Sequence, residues 1–200
     1  MQTADEFLVT LRSFFPGHAY AKEEAREGAE GLWSLTSLSG ENPPWALYCK
    51  SDMDLDTDGP DNPNRKIRWE STHQGETSLR WPGGMSVSSD LVAYVVIPGG
   101  WGHGIKLGDV CLCQYGASVV PAIVADTGPG RKLGEGSIAL HRALGFERVS
   151  VIGKIIDVSI EAGVRTIFFP GTGEGHCLPM VDVAARAWSA WANLTKKDGG

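Results

Sequence analysis

The sequence predicts a mainly β fold with flanking helices. Its 200 residues include 26 glycines and 11 prolines, which are spread along the chain as expected where many short strands alternate with turns. Short apolar runs of strand length lie between these turns, whereas helical spacing occurs near the two ends. With 42% hydrophobic residues the chain can form one core, so we expect a single domain over residues 1–200.

Two amphipathic helices are predicted outside the strand-rich region. The first covers about residues 3–15, where Phe7 and Leu11 recur at helical spacing before a Pro-Gly pair. The second covers about residues 181–194. Its tryptophans follow the helical stripe, so we interpret them as packing residues and not as platforms for sugars.

The strands are expected in a core of about residues 45–173. A Gly-Ala-Ser turn joins two of them into a hairpin. The pattern also predicts a solvated helix or loop for residues 22–31, a connection for 32–45 and a polar strand-like stretch for 67–81. The predicted strands are 46–49, 91–98, 109–115, 119–125, 150–160 and 165–170.

The charge of the chain restricts its partners. The formal net charge is -6 and the pI is about 5.3, which argues against a nucleic-acid partner, since phosphate binding requires a basic face, and favours a cationic partner. No apolar run reaches the length of a membrane span. The first residues are acidic where a signal peptide would be basic, so the chain is either intracellular or begins after a removed signal.

The four cysteines lack the paired spacing of a zinc or redox site. Cys111 and Cys113 would share one face of a strand, and buried free thiols are the favoured interpretation. A disulfide between Cys49 and Cys177 stays open at this point.

An aspartate-rich stretch follows the first core strand. Its carboxylates are Asp52, Asp54, Asp56, Asp58 and Asp61. The spacing matches the first half of a calcium loop, but Arg65 stands where the bidentate Glu is required, so we predict no metal. Two interpretations remain, a solvated turn and a rim of carboxylates that binds substrate amino groups.

Two further carboxyl groups lie in the stretch AIVADTGPGRKLGEGSIALHRALG, residues 122–145. Asp126 ends an apolar strand before a Gly/Pro turn, and Glu135 stands between two glycines. Ser137 can cap a helix that Gly145 ends. The pair fits acid–base chemistry, and the alternative is a surface turn whose carboxylates accept bonds from backbone amides.

Three motifs together resemble the fungal-type chitosanases of glycoside hydrolase family 75. They are KSDMDLDTDG at 50–59, ADTGPGRKLGEGSIALHRALG at 125–145 and FFPGTG at 168–173. The similarity covers roughly residues 45–173 and excludes both terminal helices. It implies a six-stranded double-psi β-barrel core and an endo-acting, inverting hydrolysis of β-1,4 linkages in chitosan by a single catalytic domain.

The resemblance implies that Asp126 and Glu135 are the catalytic carboxylates. We expect a secreted monomer without a cofactor, its signal peptide removed, which acts on a cationic polysaccharide outside the cell. Trp101 and His103 lie on a glycine-rich loop that matches no phosphate-binding pattern. The predicted substrate-binding residues are Asp52, Asp54, Asp56, Asp58, Thr127, Trp101, His103 and Tyr115.

The predicted mechanism uses one carboxyl as acid and the other as base, roughly 6.5 to 9.5 Å apart. We favour Glu135 as the acid, although a helix beginning after Ser137 would stabilise its ionised form. Three alternatives remain. An aspartic protease would need a second Asp-Thr-Gly motif, which the sequence lacks. The others are a non-catalytic, expansin-like carbohydrate-binding module and a glycosidase acting on peptidoglycan.

Overall fold

The computed structural model describes residues 3–14, 29–35, 45–60, 73–130, 132–146 and 159–197, with backbone alone for 29–35. Three helices and seven strands are formed by these residues. They are α1 (Ala4–Phe14), β1 (Ala29–Leu35), β2 (Ala46–Asp56), β3 (Tyr94–Pro98), β4 (Val110–Tyr115), β5 (Ser118–Gly128), β6 (Glu135–Ser137), α2 (Ile138–Ala143), β7 (Ile160–Phe169) and α3 (Met180–Lys197).

Six strands form a closed barrel in the order β2-β6-β3-β5-β4-β7, and β7 pairs back with β2. The β2–β6 and β3–β5 pairs are parallel and the other four are antiparallel. β1 pairs antiparallel with the first half of β2, outside the ring. The predicted six-stranded β-barrel core with flanking helices is confirmed, and the double-psi crossing of its connections stays a prediction.

Alternate side chains of the strands form two apolar clusters. One cluster contains α1 and α3, through Phe7 and Trp191, together with Tyr94 of β3. Because these helices cannot fit inside a six-stranded barrel, this cluster lies on the outer surface. The strand residues whose side chains point to the opposite face form the second cluster and fill the barrel interior. Leu47 and Val124 are among them.

The helices begin and end as their sequences predict. Thr3 and Glu6 form a reciprocal capping box at α1, in which each side chain accepts a bond from the other residue's backbone N–H. Ser137 caps α2 by accepting a bond from the Leu140 N–H, and Gly145 ends the turn after it with a φ of 81°. None of the helices in the described ranges is long and apolar enough to cross a membrane.

Three strand predictions are wrong. β1 lies where a loop and a connection were expected, because its pairing partner is the distant β2. β2 continues to Asp56 because β6 and β7 pair with its second half. Residues 73–81 contain only an isolated bridge from Arg80 to Ser86, while most of the strand predicted at 150–160 lies outside the described residues.

All four cysteines are free and buried, so the Cys49–Cys177 disulfide does not form. Cys49 belongs to the interior cluster and Cys177 to the outer one, which places the barrel wall between them. Cys111 and Cys113 share the interior face, with their Sγ atoms 4.0 Å apart. Burial raises the pKa of Cys177 to about 11, which keeps its thiol protonated.

Candidate active site

Three carboxyl groups stand in one row across four neighbouring strands. Asp54 of β2 pairs with Glu135 of β6, Glu135 pairs with Val96 of β3, and Val96 pairs with Asp126 of β5. Asp126 and Glu135 therefore flank Val96 on the same outer face of the barrel. With neighbouring strands ~4.8 Å apart, their backbones are separated by roughly 10 Å.

A β-bulge at Ala125 turns Asp126 onto this face. Val95 pairs with Val124, but Val96 pairs with Asp126, so Ala125 is an extra residue in β5. Residues two apart on a regular strand point to the same face, so without the bulge Asp126 would point into the barrel interior, as Val124 does. The bulge therefore converts an inward position into one that faces Glu135 across Val96.

The row opens into a cavity of about 570 Å³, a size in the range of ligand-binding sites. Most of its polar lining is acidic. The lining residues are Asp54, Leu55, Asp56, Asp58, Gln74, Val96, Asp126, Thr127, Gly128, Pro129, Lys132, Glu135 and Ser159.

Asp126 is held in one orientation by three donors. Its Oδ1 accepts bonds from the Ser78 N–H at 3.0 Å, from the Ser78 hydroxyl and from the Thr127 N–H at 2.7 Å. The Asp126 side chain is buried, with 7% of the residue exposed. Ser78 comes from the loop that precedes β3, and no sequence pattern marked it as part of the site.

Lys132 links two carboxylates of the row. Its Nζ lies 3.1 Å from Glu135 Oε1 and 2.5 Å from Asp54 Oδ2. Burial acts to lower the pKa of Lys132, but the two carboxylates outweigh burial and raise that pKa. Burial would likewise raise the pKa of Asp54, but bonds from Lys132 and Ser159 hold it below its ordinary value.

Gly128 makes room for the Glu135 carboxylate. A Cβ atom at position 128 would lie 2.6 Å from Glu135 Oε2 and 3.2 Å from the Val96 side chain. Real Cβ atoms do not approach that closely, so only glycine lets Glu135 occupy its position. The second glycine at this site, Gly134, has a φ of 95°.

Asp56, Asp58 and Asp126 form a tight carboxyl cluster, with one oxygen of each lying within 4.8 Å of the other two. Asp56 is buried and accepts a bond from the Asp58 N–H at 2.7 Å. Burial raises its pKa to about 8, and the neighbouring charges of Asp58 and Asp126 act in the same direction. At neutral pH this cluster therefore holds a proton, and such a trio can also share a cation.

We expect the Asp56→Asn variant to lose part of the pH dependence of stability. The pKa of Asp56 is about 8 in the folded protein against an ordinary value of 3.8. Between these values the folded state binds the extra proton, so the free energy of unfolding falls as pH rises, by up to about 1.4 kcal/mol per pH unit. Urea unfolding between about pH 5 and 8 should show a flatter slope for Asp56→Asn than for wild type. Parallel slopes would contradict this.

Most of the predicted acidic residues meet in the cavity, namely Asp54, Asp56, Asp58, Asp126 and Glu135, together with Thr127. Asp52 does not line this cavity, so its predicted contact with a substrate stays a prediction. It lies on β2 two residues before Asp54, and its Oδ1 packs against Gly134.

Three predicted aromatic and histidine contacts also lie outside the cavity. Trp101 folds back into the barrel interior, where its ring centroid is 5.4 Å from that of Phe168. His103 packs against Trp101 at 5.3 Å, and Tyr115 packs against Phe146 at the far end of β4. Their apolar surfaces are therefore used in packing, and their contact with a substrate stays a prediction.

No protein-family model matches the chain, and no curated protein matches it. The fold and the site must therefore supply the functional argument. They define a barrel protein with an acidic cavity in which two carboxyl groups face each other across one strand.

Proposed function

We propose that this protein is a chitosanase, an endo-acting glycoside hydrolase that cleaves β-1,4 linkages between glucosamine units with inversion. The observation that carries this proposal is the placement of Asp126 and Glu135 on either side of Val96, at one row of the barrel. Two carboxyl groups that flank a cavity can protonate a glycosidic oxygen and activate water from the opposite side.

The spacing of the strands that carry the two carboxyl groups favours inversion. Inverting enzymes hold their carboxyls roughly 6.5 to 9.5 Å apart so that a water molecule fits between base and sugar, whereas retaining enzymes hold them about 5 Å apart. Backbones that are two strands apart, roughly 10 Å, suit the larger separation. Val96 keeps this distance because its strand lies between those of the two acids.

The charge of the cavity supports a cationic substrate. Asp54, Asp56 and Asp58 lie beside the candidate pair, and Lys132 is the one cation that lines the cavity among the described residues. Carboxylates in a cleft raise the local concentration of a polycation and bind its ammonium groups. Glucosamine polymers carry one amino group on each sugar, which matches a row of acidic residues better than a neutral polymer would.

Two contacts support a reversal of the catalytic roles favoured by the sequence. The Lys132 ammonium lies 3.1 Å from Glu135, which suits an ionised base. On the other side, Asp126 has a carboxyl oxygen within 4.8 Å of those of Asp56 and Asp58, and like charges this close favour a shared proton. We therefore assign Glu135 as the base that activates water, and Asp126 as the acid that protonates the leaving oxygen.

The pH–rate profile of Lys132→Met tests these roles. Removal of an adjacent positive charge makes a carboxylate harder to ionise, so if Glu135 is the base, the acid limb should move to higher pH. Lys106, an exposed lysine outside the cavity, gives the control variant Lys106→Met, whose profile should match wild type. A shift of the alkaline limb alone would return the acid role to Glu135.

A substrate panel tests the proposed function. We expect reducing ends to be released from fully deacetylated chitosan and far more slowly from chitin oligomers, with a KM that rises at high salt because screening weakens the attraction. Cleavage of peptidoglycan but not chitosan would overturn the substrate assignment. Binding without cleavage would indicate a carbohydrate-binding module.

A further inference from the structure

His141 of α2 is a buried histidine whose two ring nitrogens both face backbone carbonyl oxygens. Its Nδ1 lies 3.0 Å from the carbonyl oxygen of Ser137, and its Nε2 lies 3.1 Å from that of Met53. The residue is 3% exposed. A carbonyl oxygen only accepts hydrogen bonds, so each of these contacts needs an N–H on the ring. The catalytic proposal makes no use of this side chain.

Only the protonated ring makes both bonds. A neutral imidazole carries one N–H, and its other nitrogen presents a lone pair, whereas an imidazolium carries an N–H on each nitrogen. Either form of the neutral ring would turn a lone pair towards a carbonyl oxygen, which repels it. The orientation of His141 between the two carbonyls is therefore that of an imidazolium.

The two carbonyls belong to the strands that carry the row of carboxyl groups. Ser137 ends β6, two residues after Glu135, and Met53 immediately precedes Asp54 on β2. Asp54 and Glu135 are paired residues of these two parallel strands. Met53 also lies at an irregularity in the pairing between β2 and β7. The His141 ring thus fastens β2 to the end of β6 where the pairing of β2 with β7 is disturbed.

Opposing influences act on the charge of the His141 ring. Burial is the largest and lowers its pKa below the ordinary value of 6.5, while the bonds to the two carbonyls and the Asp54 carboxylate act to raise it. The ring is therefore mainly neutral above pH 6.5 and gains its charge as the pH falls. The other charged residues on α2 and on the strands packed against it are Lys50, Asp52 and Asp56 of β2, Glu135 of β6, Asp126 of β5 and Arg142 of α2.

We propose that His141 is a pH-dependent positioning residue, whose protonated ring ties β2 to β6 and holds Asp54 beside Glu135. Loss of the proton removes one of the two bonds and the positive charge near Asp54. The segment of β2 at Asp54 then moves against β6, and Lys132 passes this movement to Glu135 because it bonds to both carboxylates. Since misplacement of a catalytic group lowers the rate, activity falls as His141 loses its proton. This inference rests on the proposed function for its kinetic readout.

Ring-nitrogen NMR of the wild-type chain tests the charge of His141 without turnover. The chain is labelled with ¹⁵N and titrated between about pH 4 and pH 8. We expect both ring nitrogens of His141 to be protonated at the acid end, and the Gly136 amide of β6 to shift with the same midpoint. His176, which pairs with Glu174 outside the acidic cavity, is the internal control, and its titration should leave Gly136 unchanged. A His141 ring with a single N–H at every pH would overturn the proposal.

Two amide variants separate positioning from packing. The side-chain NH₂ of His141→Gln reaches about as far as Nε2 of histidine and can donate to the Met53 carbonyl at every pH, whereas the shorter His141→Asn cannot reach it. On chitosan we expect His141→Gln to move the alkaline limb of the pH–rate profile to higher pH, where it reports the general acid alone. His141→Asn should lower kcat about tenfold across the pH range, and His176→Gln should match wild type.

The two kinds of measurement separate this inference from the proposed function. An alkaline limb that is the same in wild type and His141→Gln overturns the positioning role and leaves the catalytic proposal standing. Equal losses in His141→Gln and His141→Asn with unchanged limbs would reduce the ring to packing and overturn it too. If folded wild-type protein leaves chitosan intact, the proposed function fails, while a shared titration of His141 and Gly136 still supports the tie between β2 and β6.

Discussion

Glu135→Gln and Asp126→Asn are each expected to lower kcat on chitosan by roughly 10²- to 10⁴-fold, the range lost when a general acid or base is removed. The amides keep the size of the carboxyls, and the amide oxygen introduced by Asp126→Asn can still accept the bonds of Ser78 and Thr127. Reducing-end assays at saturating chitosan measure the loss, and thermal unfolding checks that the fold is kept.

Glu161→Gln and Asp182→Asn are matched controls, because both carboxyls are exposed and lie outside the acidic cavity. Their activity should equal that of wild type. If either Asp126→Asn or Glu135→Gln kept more than about a tenth of the wild-type rate, that residue would not be the acid or base of an acid–base mechanism.

Gly128→Ala should slow catalysis without removing any catalytic atom. The added Cβ would lie 2.6 Å from Glu135 Oε2, so the carboxylate must move by about 0.8 Å to reach an ordinary contact of 3.4 Å. Misplacement on that scale costs about 100-fold in rate. We expect kcat to fall by this factor, and the circular dichroism spectrum to stay that of wild type.

Gly102→Ala is the control for this effect. Nothing lies within 4 Å of a Cβ atom at position 102, and its backbone does not require a positive φ. It should therefore retain full activity. Equal rates for Gly128→Ala and wild type would mean that Glu135 does not need its observed position for catalysis.

The elements with local signals were predictable from sequence. α1, α2 and α3 follow helical spacing and end groups that act within a few residues. β1 was missed because a charged, glycine-containing segment becomes a strand only by pairing with β2, which lies further along the chain. β6 is only three residues long, so alternation cannot reveal it.

The sequence motifs identified the candidate carboxylates, but they did not predict how the carboxylates are oriented or which residues contact them. The bulge at Ala125 that aims Asp126 is a property of the pairing between β3 and β5. The contacts of Ser78 and Lys132 depend in the same way on tertiary structure, since Ser78 lies 48 positions from Asp126 in the chain. For Trp101 the glycine-rich loop suggested a substrate-binding position, whereas the turn after β3 folds its ring into the barrel.

Time-resolved proton NMR of chitosan hydrolysis tests the central claim most directly. The claim is that Asp126 and Glu135, two strands apart, cleave glucosamine linkages by inversion. New reducing ends should appear first as the α-anomer and equilibrate later, and Glu135→Gln should release almost none. Initial release of the β-anomer, or an unaltered spectrum with folded wild-type protein, would contradict the claim.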